Sequence, residues 1–522
     1  MASSRTPYVC VNCRLSTPLS RSLCRNFSSS ARRPEILRPA TAPKPTPDVK
    51  HIRQNAELYS KNCIERNYPS HAEYPHRIQQ LSEEARRLDH DLKAPRSRIK
   101  QLEKTIAKLA SSARQDGQQS GGNTSEDLTA LRSEAQQLKD ESQAMMTQKT
   151  SCADEIQRLA LSLPNLSSSE TPVGNDHRLV EYINFDPNSP PEWVNRPDPA
   201  RSHVAIGTLL GLIDFTSSAT TTGWGWYFLT NEGALLEQAL IQYSLSVARR
   251  RGWKVVSPPS IVYSYIAEAC GFQPRDQHNE QQIWSIEQSE KDKSKPQRSL
   301  TATAEIPLAA MYAGRDVDAS SLPIKLVGAS RCYRAEAGSR GVDTKGLYRV
   351  HEFTKVELFG WADNLPTPAT DSPTSNTLFS ELLDIQTEIL TSLNLPCRVL
   401  EMPSTDLGAS ASRKRDIEAL FPSRLRATSG TDSSPDLGPA WGEVTSASIC
   451  TDYQSRRLGT RVRGGVVKDS RFPHTVNGTA MAVPRVLAAI LENSWDEKRG
   501  VVVVPEVLRN FMGGLEVIGE RS

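Results

Sequence analysis

At 522 residues the chain is too long for one simple core, and its formal net charge of +3 gives no whole-molecule basic field. Any contact with nucleic acid must therefore come from local patches. No run of about eighteen apolar residues occurs, so a membrane-spanning helix is excluded, and nine irregularly spaced cysteines argue for a reducing compartment over a disulfide framework.

Residues 1–34 contain Arg5, Arg14, Arg21, Arg25, Arg32 and Arg33, many serines and no acid, which is the composition of a mitochondrial transit peptide. A disordered basic tail would share it. Arg25-Asn-Phe-Ser28 has the form of a matrix-processing site. Cys10 and Cys13 have half of a zinc spacing, with no second pair nearby. Residues 1–50 carry nine Lys/Arg against Glu35 and Asp48; subtracting that +7 from +3 leaves −4 for the remainder. Residues 35–47 are a Pro-rich spacer, expected to be extended rather than packed.

From Ile78 the apolar positions step by three and four through Leu81, Ala85, Leu88 and Leu92, then Ile99, Leu102, Ile106 and Leu109. This is a heptad seam, and Pro95 at its missing member predicts a break. Residues 111–127 are polar and Gly-rich, a turn. A second seam runs Leu128, Leu131, Ala135, Leu138, Met145, Cys152, Ile156, Leu159, diluted by Ser142 and Lys149. The pattern predicts an antiparallel helical hairpin about 50 Å long. Such an arm either dimerises or reaches a distant part of a large partner. Arg86, Arg87, Lys93, Arg96, Arg98, Lys100, Lys104 and Lys108 suit phosphate contact and equally suit a solvated helix surface.

Residues 201–522 mix helical and strand patterns. Gly233 opens a helix predicted to run to about Arg251, followed by a strand from Gly252 ending at Pro258-Pro259. Four further blocks carry chemistry. Thr303 and Glu305 lie in Thr-Ala-Glu. Residues 330–358 read as two antiparallel strands around a Gly-rich loop. By strand period Arg334 and Glu336 share a face, as do Arg349, His351, Phe353, Lys355 and Glu357, with Val350 on the other side. Arginines suit phosphate, an aromatic plane a purine, and carboxylates an ammonium. Glu443-Val444-Thr445-Ser446 and Asn477-Gly-Thr479 with Arg485 complete the set.

Together these blocks resemble the seryl-tRNA synthetases, class II aminoacyl-tRNA synthetases, over about residues 48–520. The Arg-x-Glu-Ala-Gly and Arg-x-His-x-Phe-x-Lys-x-Glu halves resemble motif 2, and residues 474–493 resemble motif 3. The resemblance implies an α+β fold. A class II synthetase catalytic domain with an antiparallel sheet flanked by helices (166–522) would follow an N-terminal coiled-coil tRNA-binding arm (48–165). It implies a homodimer, no membrane partner, a place in the mitochondrial matrix, and an arm that holds the long variable arm of serine tRNA. It implies serine activation with ATP and Mg²⁺ to seryl-adenylate, then transfer to the terminal adenosine of tRNA. Thr303, Glu305, Arg334, Glu357, Asn477 and Thr479 would bind serine. Arg334, Glu336, Arg349, Val350, Phe353, Glu443, Val444, Thr445, Ser446 and Arg485 would bind ATP. Arg334, Arg349 and Arg485 would be catalytic, and Glu443 and Ser446 the metal ligands.

Several positions depart from that pattern. Pro484 replaces a glycine, Thr405-Asp-Leu-Gly408 lacks a Gly before Asp, and Arg415 replaces a tyrosine. A helix starting near Met481 would place Pro484 harmlessly in its first turn. Asp363–Asn376 and Ser423–Pro439 read as surface loops. A silent RNA-binding paralogue would have shed the phosphate-gripping arginines, which are retained. A ligase for a carrier protein would lack the long arm.

Overall fold

The computed structural model describes residues 37–115, 123–272, 282–336, 346–363, 374–426, 436–464 and 471–519. The transit peptide, the processing site and the Cys10/Cys13 pair lie outside them.

The arm is three helices, α3 (Tyr74–Asp91) and α4 (Lys93–Gln115) packed along α5 (Asn123–Ser162), preceded by α1 (Val49–Gln54) and α2 (Ala56–Glu65). The helical path is interrupted at Leu92, and Pro95 falls in the first turn of α4, where its missing N–H costs little. The helices run past the expected turn limits, to Gln115 and from Asn123, so the turn is shorter than 111–127. Forty residues of α5 span about 60 Å. Ile78, Leu81, Leu92, Leu102, Ala135, Cys152 and Leu159 are buried along the seam. Ser142 is buried there too, and Lys149 pairs across the hairpin with Asp89. Arg98 and Lys139 reach Glu134 and Glu103 on the facing helix, at 2.7 and 2.8 Å.

The body is built on one eight-stranded sheet. In chain order its strands are β1 (Arg178–Ile183), β2 (Lys254–Val256), β3 (Ile324–Tyr333), β4 (Glu352–Ala362), β5 (Cys397–Glu401), β6 (Arg413–Leu420), β7 (Trp441–Thr451) and β8 (His474–Ala482). Their order across the sheet is β1-β5-β6-β7-β8-β4-β3-β2, antiparallel except for the parallel β2–β3 edge. Short α6 (His203–Leu209), α7 (Asn231–Arg250), α8 (Ser375–Ser392), α9 (Tyr453–Leu458) and α10 (Val483–Asn493) flank it. Their apolar faces, including Leu236, Leu240, Leu382, Ile389, Leu487 and Ile490, form one core with Val356, Leu358, Val444 and Val476 of the sheet. Six cysteines among the described residues are buried and free.

One loop expectation needs correction at its C-terminal end, and the other gains ties at both ends. Ser375 and Asn376 already belong to α8, because the Thr374 hydroxyl caps it by accepting the Thr377 N–H. The 423–439 stretch is pinned at both ends by 3₁₀ turns at Pro422–Arg424 and Gly438–Ala440 and a bridge between Arg426 and Asp436. Residues 364–373 and 427–435 lie outside the described set.

The Pro-rich segment, expected to be free, is packed. The Arg38 guanidinium lies 4.7 Å from the Tyr265 ring centre, and Pro43 rests where Gly459 lacks a Cβ. The Thr46 N–H bonds the Arg456 carbonyl, and the Pro45 carbonyl accepts from Gln157 of α5. Proline stiffness makes this docking entropically cheap. The arm root is fixed as well. Arg66, 1% exposed, donates to the carbonyls of Asn165 and Gly408. Asn165 in turn donates to Ser410, Cys450 and the Thr451 hydroxyl, each at 2.9 Å.

Candidate active site

Motif-like residues from four strands and one helix meet over the middle of the sheet. β3 and β4 pair with Cys332 opposite Phe353, which brings Arg334, just past β3, over the Phe353 ring at 5.2 Å. Arg334, Glu336, Arg349, Val350, Phe353, Lys355, Glu443, Val444, Thr445, Ser446, Thr479 and Arg485 line one pocket. Alternation along β4 aims Phe353, Lys355 and Glu357 to the same side. Arg349 arrives differently, from the turn preceding β4, where its guanidinium pairs with Glu336. Glu336 itself adopts φ +49°, a conformation uncommon outside glycine and asparagine.

His351 departs from the expected wall. It also precedes β4, and its ring turns away to sit among Trp224, Trp226 and Trp284, with Nδ1 3.0 Å from the Arg334 carbonyl. Strand alternation does not extend into the turn, so the period fails there.

Beside the arginines lies a second, smaller cluster. The Thr303 hydroxyl donates to Glu357 at 3.2 Å, and the Lys355 ammonium meets the same carboxylate oxygen at 2.5 Å. Thr479 of β8 is the cross-strand neighbour of Glu357 on β4, just before a bulge. Glu305 is buried and accepts from Gln454 at 2.6 Å, with Asn477 a further donor. Burial first, then the charge of Glu357, pushes the Glu305 carboxyl up to about 7.

On the opposite wall Arg485 donates to Glu443 at 3.0 Å and to the Tyr348 carbonyl at 3.1 Å. Burial opposes ionisation of Glu443, but Arg485 and Lys414 outweigh it and hold the carboxyl down to about 2. α10 begins at Val483, so Pro484 sits in the first turn and leaves the aim of Arg485 undisturbed. Asp416, cross-strand from Ser446, is buried against Lys414 at 2.7 Å, and its carboxyl is raised by desolvation.

Some residues of the site escaped the sequence reading. The Tyr348 ring receives two guanidiniums, Arg424 at 4.0 Å from its centre and Arg485 at 4.6 Å. Gly442 is required beneath it, because a Cβ there would stand 2.9 Å from the Tyr348 hydroxyl. Lys355, which strand period had already placed on the face of Phe353 and Glu357 without a role, joins the site as a partner of Glu357. Gln454 had none, being brought to Glu305 only by the packing of α9.

Oxygen donors suit a hard divalent cation, and the ionised Glu443 carboxylate with the neutral Ser446 hydroxyl in the same pocket is such a set. Among the described residues no group of three or more His, Cys, Asp or Glu side chains gathers as an all-protein metal cage. No described helix is long and apolar enough to cross a membrane.

Comparison with known proteins agrees with this geometry. The seryl-tRNA synthetase N-terminal domain profile matches residues 48–167, and that of the class II tRNA synthetase core domain (G, H, P, S and T) matches 286–494. The mitochondrial serine–tRNA ligase of Schizosaccharomyces pombe is 37% identical over 462 residues, 88% of this chain and 87% of that one. The mitochondrial enzyme of Saccharomyces cerevisiae is 42% identical over 359 residues, 68% of this chain and 72% of its own. The crystal structure of seryl-tRNA synthetase from Pyrococcus horikoshii complexed with ATP superposes with a TM-score of 0.69 at 28% identity, covering 91% of this chain and all of that one.

Proposed function

Because the chain belongs to the seryl-tRNA synthetase family of class II aminoacyl-tRNA ligases, we propose the following division of labour among its residues. The overall reaction joins serine to tRNA at the expense of ATP. The observation that carries the assignment is the convergence of Arg334, Arg349 and Arg485 on one pocket beside the buried Glu305 and Glu357.

ATP lies with its adenine on Phe353, beside Val350 and Glu336, and its phosphates toward the arginines. A serine carboxylate oxygen attacks the α-phosphorus in line. The bond to pyrophosphate breaks, and seryl-adenylate forms. Arg334 and Arg349 hold the α-phosphate as charge builds on it; Arg485 holds the far phosphates. Preorganised positive charge in a partly enclosed site stabilises the developing anion without further reorganisation. The backbone of Val444 and Thr445 backs the phosphates, and the Thr445 hydroxyl ties β7 to the Thr479 carbonyl. Glu443 and Ser446 would hold Mg²⁺, which when bound neutralises phosphate charge.

Serine is held by Thr303, Glu305, Glu357, Asn477 and Thr479, with Arg334 reaching its carboxylate. Hydrogen-bonding groups around the substrate hydroxyl reject alanine, which leaves them unpaired. In the second step a hydroxyl of the terminal adenosine of tRNA attacks the seryl carbonyl carbon and AMP leaves. Positioning carries both steps, and no side chain of the pocket need act as the base in the second.

We further assign residues 1–34 to a transit peptide and the working site to the mitochondrial matrix, in keeping with the Arg-rich, acid-free composition. Residues 48–165 are assigned to tRNA binding through the long variable arm, and 166–522 to catalysis in a homodimer. Exposed Leu235 and Val255, on α7 and β2, suit a buried partner surface.

Serine-dependent ATP–pyrophosphate exchange tests the central claim. Exchange should occur with serine and fall steeply with alanine, glycine and threonine. Folded, Mg²⁺-supplied protein that exchanges with none of them would overturn the proposal.

A further inference from the structure

The Glu492 carboxylate, fully buried near the end of α10, collects four donors. His203, itself 7% exposed, gives its backbone N–H to Oε1 at 3.0 Å and its ring Nδ1 to the same oxygen at 2.7 Å. Ser423 gives its N–H to Oε2 at 3.1 Å and its hydroxyl to Oε1 at 3.0 Å. On the far side of the imidazole, Nε2 accepts the Leu347 N–H at 3.1 Å. A nitrogen that accepts carries no proton, so the proton of the neutral ring sits on Nδ1 and points at Glu492.

Leu347 is followed directly by Tyr348, whose carbonyl accepts from Arg485, and by Arg349. The fit is tight. Gly346 holds φ +66°, and a Cβ there would stand 2.2 Å from Nε2 of His203. None of His203, Glu492 or Leu347 lines the pocket. The imidazole, 144 residues before Leu347 and 289 before Glu492, thus joins the turn carrying Arg349 to the helix carrying Arg485.

We propose that His203, anchored by Glu492, is a positioning residue that sets the nucleotide-gripping geometry of Tyr348, Arg349 and Arg485 through the Leu347 peptide. The inference rests on the reading of Arg349 and Arg485 as ATP ligands. Without the Nε2 acceptor the buried Leu347 N–H has no partner, and the turn must move to find one. A displacement of about 1 Å in a positioning segment is enough to cost orders of magnitude in rate.

Two substitutions of His203 separate this role from simple packing. Asparagine places an amide N–H near the Nδ1 position, so His203→Asn keeps the bond to Glu492 and loses the acceptor for Leu347. Glutamine reaches the Nε2 position, so His203→Gln keeps that acceptor and loses the donor to Glu492. In pyrophosphate exchange by the full chain, His203→Asn should raise the ATP KM about tenfold. His203→Gln should stay within about twofold of the parent, and the serine KM should move in neither. Gly346→Ala, which pushes a methyl into the ring, should copy His203→Asn and carries the test if the asparagine variant does not fold. Equal changes in ATP KM for asparagine and glutamine, or a joint rise of ATP and serine KM, would overturn the role. Arg349→Ala checks the site itself. An unchanged ATP KM there removes the assignment of Arg349 and this inference with it. A raised ATP KM there beside an unmoved His203→Asn removes the positioning role alone.

Discussion

Arg485 and Glu443 meet at 3.0 Å on one wall of the pocket, from a helix and a strand separated by 42 residues of sequence. Each needs the other before substrate arrives. The arginine, with Lys414 behind it, keeps the partly exposed carboxylate ionised, and the carboxylate gives the half-buried guanidinium a counter-charge.

Arg485→Ala should therefore do two things. It should raise the ATP KM and lower the exchange rate together, by about 10²-fold in kcat/KM, the scale of losing one preorganised charge. It should also strip Glu443 of its first counter-charge and move its carboxyl upward. Steady-state exchange at saturating serine measures the first effect. Carboxylate titration by NMR measures the second.

A pH dependence belongs to Glu305. Its carboxyl is raised to about 7 in the folded chain, so the proton is held more tightly folded than unfolded. The stability that this group contributes is present below the ordinary value and lost as pH rises through about 7. Binding of the serine ammonium favours the ionised form. Serine KM should consequently fall as pH rises from 6 to 8, approaching tenfold per unit below the transition, while ATP KM stays flat. Asp416 is also raised but faces Lys414, so Glu305→Gln should erase the serine limb and leave any Asp416 effect behind.

On the arm, Lys100 and Lys104 are exposed one turn apart on α4, whereas Arg98 is engaged by Glu134. Charge reversal of both lysines should weaken tRNA in aminoacylation and reduce the salt slope of binding, with serine-dependent exchange unchanged. An equal effect on exchange would show damage to the fold instead.

Pro484 supplies a test of a substitution that leaves the geometry intact. Pro484→Gly should lower stability by about 0.4–1 kcal/mol through a looser unfolded chain. It should leave ATP KM unchanged, because the helix starts at Val483 either way. Thermal melting and exchange kinetics read the two separately.

Much of this architecture was legible in the residues, for local reasons. The heptad steps found the arm, and Pro95 found its break. Phe353 and Glu357 obey strand alternation because both lie inside β4. His351 does not, because β4 starts one residue later and the turn before it follows no period. The Pro-rich segment was misread since its composition speaks of stiffness, not of the bare Gly459 surface it covers. Glu492 and His203, 289 residues apart, left no local trace, since only the closed fold brings them into contact.

The interruption at Leu92 gives the arm unequal rails. One side, α5, is an unbroken forty-residue rod, whereas the other is jointed where α3 ends and α4 begins. The root below the joint is clamped by Arg66 and Asn165. An RNA carried by the arm as proposed would therefore meet a thinned stretch of backbone ladder around Pro95, whose missing N–H leaves a carbonyl one turn back without its donor, above a root held at two points.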